Sequence, residues 1–187
     1  MFPLFKRLFD ILLATVLIIL LAPVYFVLSA IIFMQDFGSP VFRQMRVGKG
    51  GREFMFYKFR SMATNAPSVE SHQKEKLKIT PFGVFIRRTN LDELPQFFNV
   101  LKGDMSFIGP RPPIPSQENL IAMRRENKSL FLQPGLTGWA QVNSYDNMPE
   151  EVKAQYDGEY AARISLKIDM LILFKTVIYF TKKPPVY

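Results

Sequence analysis

Cysteine is absent from the 187 residues, which removes disulfides, thiolate nucleophiles and Cys-ligated zinc. One histidine, His72, leaves no material for a His-based metal cluster or a Ser-His-Asp triad. It lies in the polar stretch from Ala63 to Lys78, which reads as a surface loop, and it has no evident partner there. The candidate nucleophiles that remain are carboxylates and hydroxyls. No G-x-x-x-x-G-K-[ST] pattern occurs, and Gly48-Lys49-Gly50-Gly51 precedes a strand-like segment rather than a helical one, so a phosphate loop is excluded too. Internal repeats and low-complexity tracts are also missing.

What is present is apolar and basic. Hydrophobic residues make up 48% of the chain, with 18 Phe against a single Trp, which is rich for a soluble domain of this length and implies that some apolar surface faces lipid. The formal charge is +8. Setting aside the first 34 residues removes Lys6, Arg7 and Asp10 and leaves 22 basic against 15 acidic residues, so +7 belongs to the body. Such an excess suits anionic lipid surfaces, phosphorylated substrates or nucleic acid.

From Ile11 to Met34 run 24 residues without a charge, and at ~1.5 Å rise per residue a helix of that length covers a ~30 Å hydrocarbon core. Hydropathy alone therefore reads this segment as spanning. Pro23 sits in mid-run, and basic residues flank both ends (Lys6 and Arg7; Arg43, Arg46 and Lys49), so charge gives no orientation. A helix that bends at Ala22-Pro23 and returns to the side it entered satisfies the same observations. A cleaved signal peptide does not, because the run is too long and lacks an A-x-A-like site.

Val41 to Val47 and Phe54 to Met62 read as the strands of a hairpin, the second presenting Lys58 and Arg60 on one face by period two. Thr80-Pro81 opens a short helix to Arg88. Ser116 to Phe131 reads as a moderately amphipathic helix, Gln133 to Trp139 as a turn-rich loop, and Pro149 as the start of a helix that Asp157-Gly158-Glu159 interrupts. Ser165 to Phe180, followed by Lys182-Lys183, is too short to span and suits an interfacial helix.

The chemistry concentrates between Arg87 and Pro112, where Arg87, Arg88 and Arg111 bracket the adjacent acids Asp92 and Glu93. Guanidinium groups hold phosphate oxygens, and a carboxylate binds a metal or attacks phosphorus, so the pattern points to phosphoryl transfer. Asn90 and Glu93 form an Asn variant of a capping box and Lys102-Gly103 a stop, with Pro95 delaying the regular helix to near Leu94. That places both acids at a helix N-terminus, where anions, including a substrate phosphate, are favoured. A membrane-anchored basic domain that binds anionic lipid or nucleic acid without catalysis also explains the charge, though not the two bracketed acids.

Tyr57-Lys58-Phe59-Arg60-Ser61-Met62, the run Arg87 to Pro112, Pro134 to Asn143, Asp157-x-x-Tyr160 and Asp169 together resemble the bacterial sugar transferase family, the monotopic polyprenol-phosphate phosphoglycosyl transferases, in their minimal form. The resemblance implies an α/β fold, mainly helical with a small β-hairpin. It implies a re-entrant membrane helix over residues 1–36, broken at Ala22-Pro23 where the family has Ser-Pro, and a catalytic domain over residues 37–187 with interfacial amphipathic helices. It further implies transfer of a phospho-sugar from a UDP-sugar to a polyprenyl (undecaprenyl) phosphate with release of UMP. Asp92 would be the nucleophile of a covalent aspartyl intermediate, and Mg2+ would sit at Asp92 and Glu93. Lys58, Arg60, Arg87, Arg88 and Arg111 would neutralise phosphate oxygens, and Asp157 and Asp169 would support the site. The implied location is the cytosolic face of the bacterial inner membrane, with no nucleic-acid partner.

Overall fold

The computed structural model describes residues 2–64, 79–143 and 148–181; His72 and Lys182-Lys183 lie outside these. The chain opens with α1 (Phe2–Leu20) and α2 (Ala22–Asp36), which meet at 61°. Pro23 stands in the first turn of α2, where its missing N–H costs least, so the predicted break at Ala22-Pro23 is a true bend even without a serine beside it. Among the described residues no single helix is long and apolar enough to cross a membrane, whereas the bent pair is so by length and composition.

The hairpin follows: β1 (Val41–Val47) pairs antiparallel with β2 (Glu53–Phe59), and Gly50 and Gly51 adopt positive φ in the turn. In α3 (Pro81–Arg88) the Thr80 hydroxyl accepts the Gly83 N–H at 2.9 Å and Pro81 occupies the first turn, as the sequence predicts. A 3-10 turn (Leu91–Glu93) leads into α4 (Gln96–Lys102), which ends on Gly103 in the left-handed region. Next come β3 (Ser106–Ile108), α5 (Glu118–Glu126), β4 (Gly135–Thr137), α6 (Trp139–Val142), α7 (Glu150–Arg163) and α8 (Leu166–Thr181). The fold is mainly helical around small sheets.

Three expectations are corrected. Gln133 to Trp139 is not wholly loop: β4 pairs in parallel with β3, because Gly109, Gly135 and Gly138 let the two backbones approach so closely that a Cβ on Gly109 would lie 2.1 Å from the Gln133 carbonyl oxygen. Gly158 does not interrupt α7, since the Asn127 side chain fills the space a larger residue would occupy and donates to the Ala154 carbonyl at 2.6 Å. The helix after Ser116 is shorter than read, with a separate 3-10 turn at Ser129–Phe131.

The main core gathers Ala14, Phe56, Val100, Met105, Phe107, Ile108, Tyr160 and Ile172; a second cluster of Leu28, Ile32, Phe59 and Ile86 seats α2 against β2 and α3. Charged residues at the start of α1 hold the body as well. Lys6 pairs with Asp169 at 2.5 Å, Arg7 donates to the carbonyls of Val100 (2.6 Å) and Leu101 (3.0 Å), and Asp10 accepts the Phe107 N–H at 3.1 Å. The outer faces of α1, α2 and α8 stay apolar and exposed, including Leu20, Phe26 and Phe174.

Candidate active site

The hairpin delivers Lys58 from the end of β2, and the 3-10 turn delivers Asp92 and Glu93 beneath it. Lys58 Nζ lies 2.7 Å from Glu93 Oε1 and 3.4 Å from Asp92 Oδ2. Arg111 reaches the same Glu93 oxygen from the opposite side at 2.8 Å. Arg87, at the end of α3, is held by the Ser61 hydroxyl at 2.7 Å and adds a favourable charge to Asp92. Arg88 is exposed and bonds to nothing among the described residues, which leaves its guanidinium available to a ligand.

The turn differs from the capped helix that the sequence suggests. Asn90 adopts the left-handed conformation and its side chain caps nothing, while α4 begins only at Gln96. Pro95 cannot supply the N–H that a continuous helix needs, so the backbone tightens: Glu93 N–H bonds to the Asn90 carbonyl at 3.1 Å and Leu94 N–H to Leu91 at 3.3 Å. Those amides are spent. Anion binding here falls to side-chain cations rather than to a helix end.

The two acids sit in opposed environments. For Glu93, burial pushes the carboxyl up, but Arg111 and Lys58 more than offset this and hold it well below the usual carboxylate range. For Asp92, burial dominates and raises the carboxyl above its ordinary value, Lys58 opposing and Glu93 reinforcing. Asp92 is only 6% exposed, and its Oδ1 accepts no hydrogen bond among the described residues. One acid is thus a fixed anion, and its neighbour carries a poorly stabilised charge. Environments that push paired carboxyls apart assign them different roles.

Other implied residues are placed elsewhere. The Arg60 guanidinium is committed to Asp36 and to the Thr64 hydroxyl (2.9 Å), so it secures the end of α2. Asp157 forms a buried pair with Arg124 at 2.6 Å, and Asp169 takes Lys6 and the Tyr160 hydroxyl (2.7 Å). Neither bonds to Asp92 or Glu93. Arg46, which the sequence offers only as a flanking charge, belongs to the site: it lies 5.3 Å over the Phe56 ring, on the same hairpin face as Lys58. Burial first and Arg111 second lower its pKa to about 10, with Glu93 opposing, so it remains charged at neutral pH. Period-two alternation across the hairpin register was the signal for it. Tyr25 of α2 is a second such residue, donating to the Leu94 carbonyl at 2.5 Å right behind the acids.

Among the described residues no cluster of three or more acids and imidazoles could hold a metal by itself. Among the described residues Asp92 and Glu93 each keep one carboxylate oxygen without a hydrogen bond, a donor set that suits Mg2+, which retains waters and takes further ligands from substrate phosphates.

Comparison with known proteins gives the same direction. The profile described as "Bacterial sugar transferase" matches residues 1–183. The chain is 40% identical over 182 residues to the UDP-N-acetylgalactosamine-undecaprenyl-phosphate N-acetylgalactosaminephosphotransferase of Aeromonas hydrophila, covering 92% of this chain and 42% of that one. It is 38% identical over 183 residues to the UDP-glucose:undecaprenyl-phosphate glucose-1-phosphate transferase of Escherichia coli (strain K12), covering 93% and 39%. The uncharacterized sugar transferase EpsL of Bacillus subtilis (strain 168) is 36% identical over 173 residues, covering 92% and 85%. The chain thus spans about two fifths of the length of the first two of these relatives.

Proposed function

The chain belongs to the bacterial sugar transferase family, and from that premise we propose that it transfers a phospho-sugar from a UDP-sugar to a polyprenyl phosphate such as undecaprenyl phosphate, releasing UMP, and so begins assembly of a membrane glycan. The observation that carries this reading is the unequal pair of acids. Asp92, buried and weakly paired, is the nucleophile: one of its carboxylate oxygens attacks the sugar-proximal phosphorus, the P–O bond to UMP breaks, and UMP leaves with the electron pair. An oxygen of the lipid phosphate then attacks the same phosphorus, and the bond to Asp92 breaks to restore the carboxylate. Glu93, pinned by Lys58 and Arg111, keeps those cations at the site rather than reacting. Lys58, Arg87, Arg88, Arg111 and Arg46 offset the phosphate charge. Asp92 and Glu93 are the residues that would hold Mg2+, which when bound supplies further neutralisation of phosphate oxygens.

We read residues 1–36 as re-entrant and residues 37–187 as the catalytic domain, seated on the cytosolic face of the bacterial inner membrane. What supports re-entry is that both ends of the bent pair are tied to the same body: α1 through Lys6 and Arg7, α2 through Asp36 and Arg60. A spanning segment would separate those ends by the bilayer. The apolar outer faces of α1, α2 and α8 suit lipid contact at that depth.

The test is isotope exchange. Enzyme, UDP-sugar and labelled UMP, incubated without lipid across a panel of UDP-sugars, should place label in the UDP-sugar, and Asp92→Asn should abolish both exchange and turnover while the protein still partitions with membranes. Lipid-dependent turnover with no exchange would show direct attack by the lipid phosphate, with the acids acting only through a metal.

A further inference from the structure

Arg111 sits in Pro110-Arg111-Pro112-Pro113, where three of four residues are proline and have fixed φ and no N–H to donate. Each of the four carbonyls is nevertheless taken, by three different parts of the fold. Pro110 accepts the Gly135 N–H at the head of β4 (2.9 Å). Arg111 accepts Nη1 of Arg124 on α5 (2.8 Å), and Pro112 accepts Nη1 of Arg46 on β1 (3.2 Å). Pro113 accepts the Val47 N–H (2.9 Å).

Two of these anchors are guanidinium groups, Arg124 buried and Arg46 half-buried, that are themselves oriented. Arg124, with a side chain 5% exposed, gives both Nε (2.9 Å) and Nη2 (2.6 Å) to a single oxygen of Asp157 on α7. Arg46 gives Nη2 to Gln44 at 2.7 Å and rests on Phe56. A cation that merely balanced charge would not need its fork divided between a carboxylate and a carbonyl. The division fixes the strap from the α5–α7 side and from the hairpin side at once, with the Arg111 side chain facing Glu93 between them.

We infer that Arg124 and Arg46 are positioning residues that lock the Pro110–Pro113 strap so that Arg111 is held at the acids before a phosphate arrives, with Asp157 orienting Arg124. The inference rests on the proposed reading of Arg111 as a phosphate-facing cation, and it gives Asp157 a definite task at a distance from the chemistry. Preorganised cations contribute because no reorganisation is needed as charge develops.

A double-substitution cycle on the full-length, membrane-associated protein tests it. Arg124→Lys keeps the charge beside Asp157 but loses the fork, and should lower kcat/KM by about 100-fold, the cost of a misplacement near 1 Å. In an Arg111→Ala background the same substitution should cost less than about threefold, because there is no guanidinium left to place. An equal loss in both backgrounds, or wild-type kinetics for Arg124→Lys, overturns the inference. If Arg124→Lys does not fold, Asp157→Asn, which removes the charge that orients Arg124, carries the same cycle with the same two outcomes. If the wild-type chain turns over no UDP-sugar, the proposed activity fails by itself. The cycle is then read on calorimetric affinity for inorganic pyrophosphate: coupling between positions 124 and 111 sustains the positioning role, while additive effects or no binding by the wild type remove it.

Discussion

Replacing Lys58 by methionine keeps the length and the apolar stem of the side chain while deleting the one cation that, among the described residues, touches both acids. Its ammonium is 2.7 Å from Glu93 and 3.4 Å from Asp92. At an effective dielectric of about 20, a unit charge at the longer distance is worth up to about 5 kcal/mol. Residual exposure of the Lys58 side chain, 21%, lets water screen part of that. A loss of about 100- to 1,000-fold in kcat, or about 3–4 kcal/mol, is therefore expected. The pH dependence carries the sharper signature. Burial already raises the Asp92 carboxyl, and Lys58 is the largest opposing influence, so its removal raises that carboxyl further. Attack requires the ionised form; hence the acid limb of kcat/KM moves to higher pH and the defect narrows as pH rises. Folding stability runs the other way. A carboxyl raised above its unfolded value stabilises the fold while protonated, and that contribution is lost as pH rises through its folded pKa. UMP release measured from about pH 5 to about pH 9 decides the matter. An acid limb that stays in place or moves down, or a defect that widens with pH, would refute the assignment of Asp92 as the ionised nucleophile restrained by Lys58.

Other substitutions separate architecture from chemistry. Arg60→Met should loosen the end of α2 and lower the thermal midpoint yet leave turnover of the folded protein within about threefold; a loss matching that of Lys58→Met would return Arg60 to the phosphate site. Gly109→Ala should destabilise by about 1–3 kcal/mol, because the new methyl meets the Gln133 carbonyl just ahead of β4, and calorimetry should show a midpoint at least about 2 °C lower. An unchanged midpoint would mean that the β3–β4 contact yields easily. The cysteine-free chain permits single-site labelling: Pro3→Cys and Ser39→Cys should react with an impermeant maleimide from the same side of sealed vesicles. Reaction from opposite sides would make the bent pair a span.

Local rules served well wherever one residue dictates its own backbone. Thr80 and Pro81 begin α3, Pro23 marks the bend, Gly103 ends α4, and the strand alternation places the hairpin. They failed where partners distant in sequence decide. Asn90 looks like a cap, but the constraint from Pro95 and the packing of the turn under β2 put it in the left-handed region instead. The period-two pattern set Lys58 and Arg60 on one face, and it could not reveal that Asp36, 24 residues earlier, takes Arg60 away. Arg46 is marked only by the strand alternation, and Tyr25 and Arg124 carry no local mark at all. Their contacts with the strap and with the turn bridge 66, 69 and 13 residues of sequence.

The order of residues alone pointed to the kind of chemistry proposed: with no thiol and one imidazole, adjacent acids set among arginines direct attention to a carboxylate working on phosphate, and a long apolar run beside a basic body directs it to a lipid surface. Only the folded chain decided which acid is stabilised as an anion and which is strained toward neutrality. That distinction depends on burial and on cations brought from β2, α3 and the proline strap to within a few ångströms, and electrostatic energy falls with distance in space, which spacing along the chain does not report.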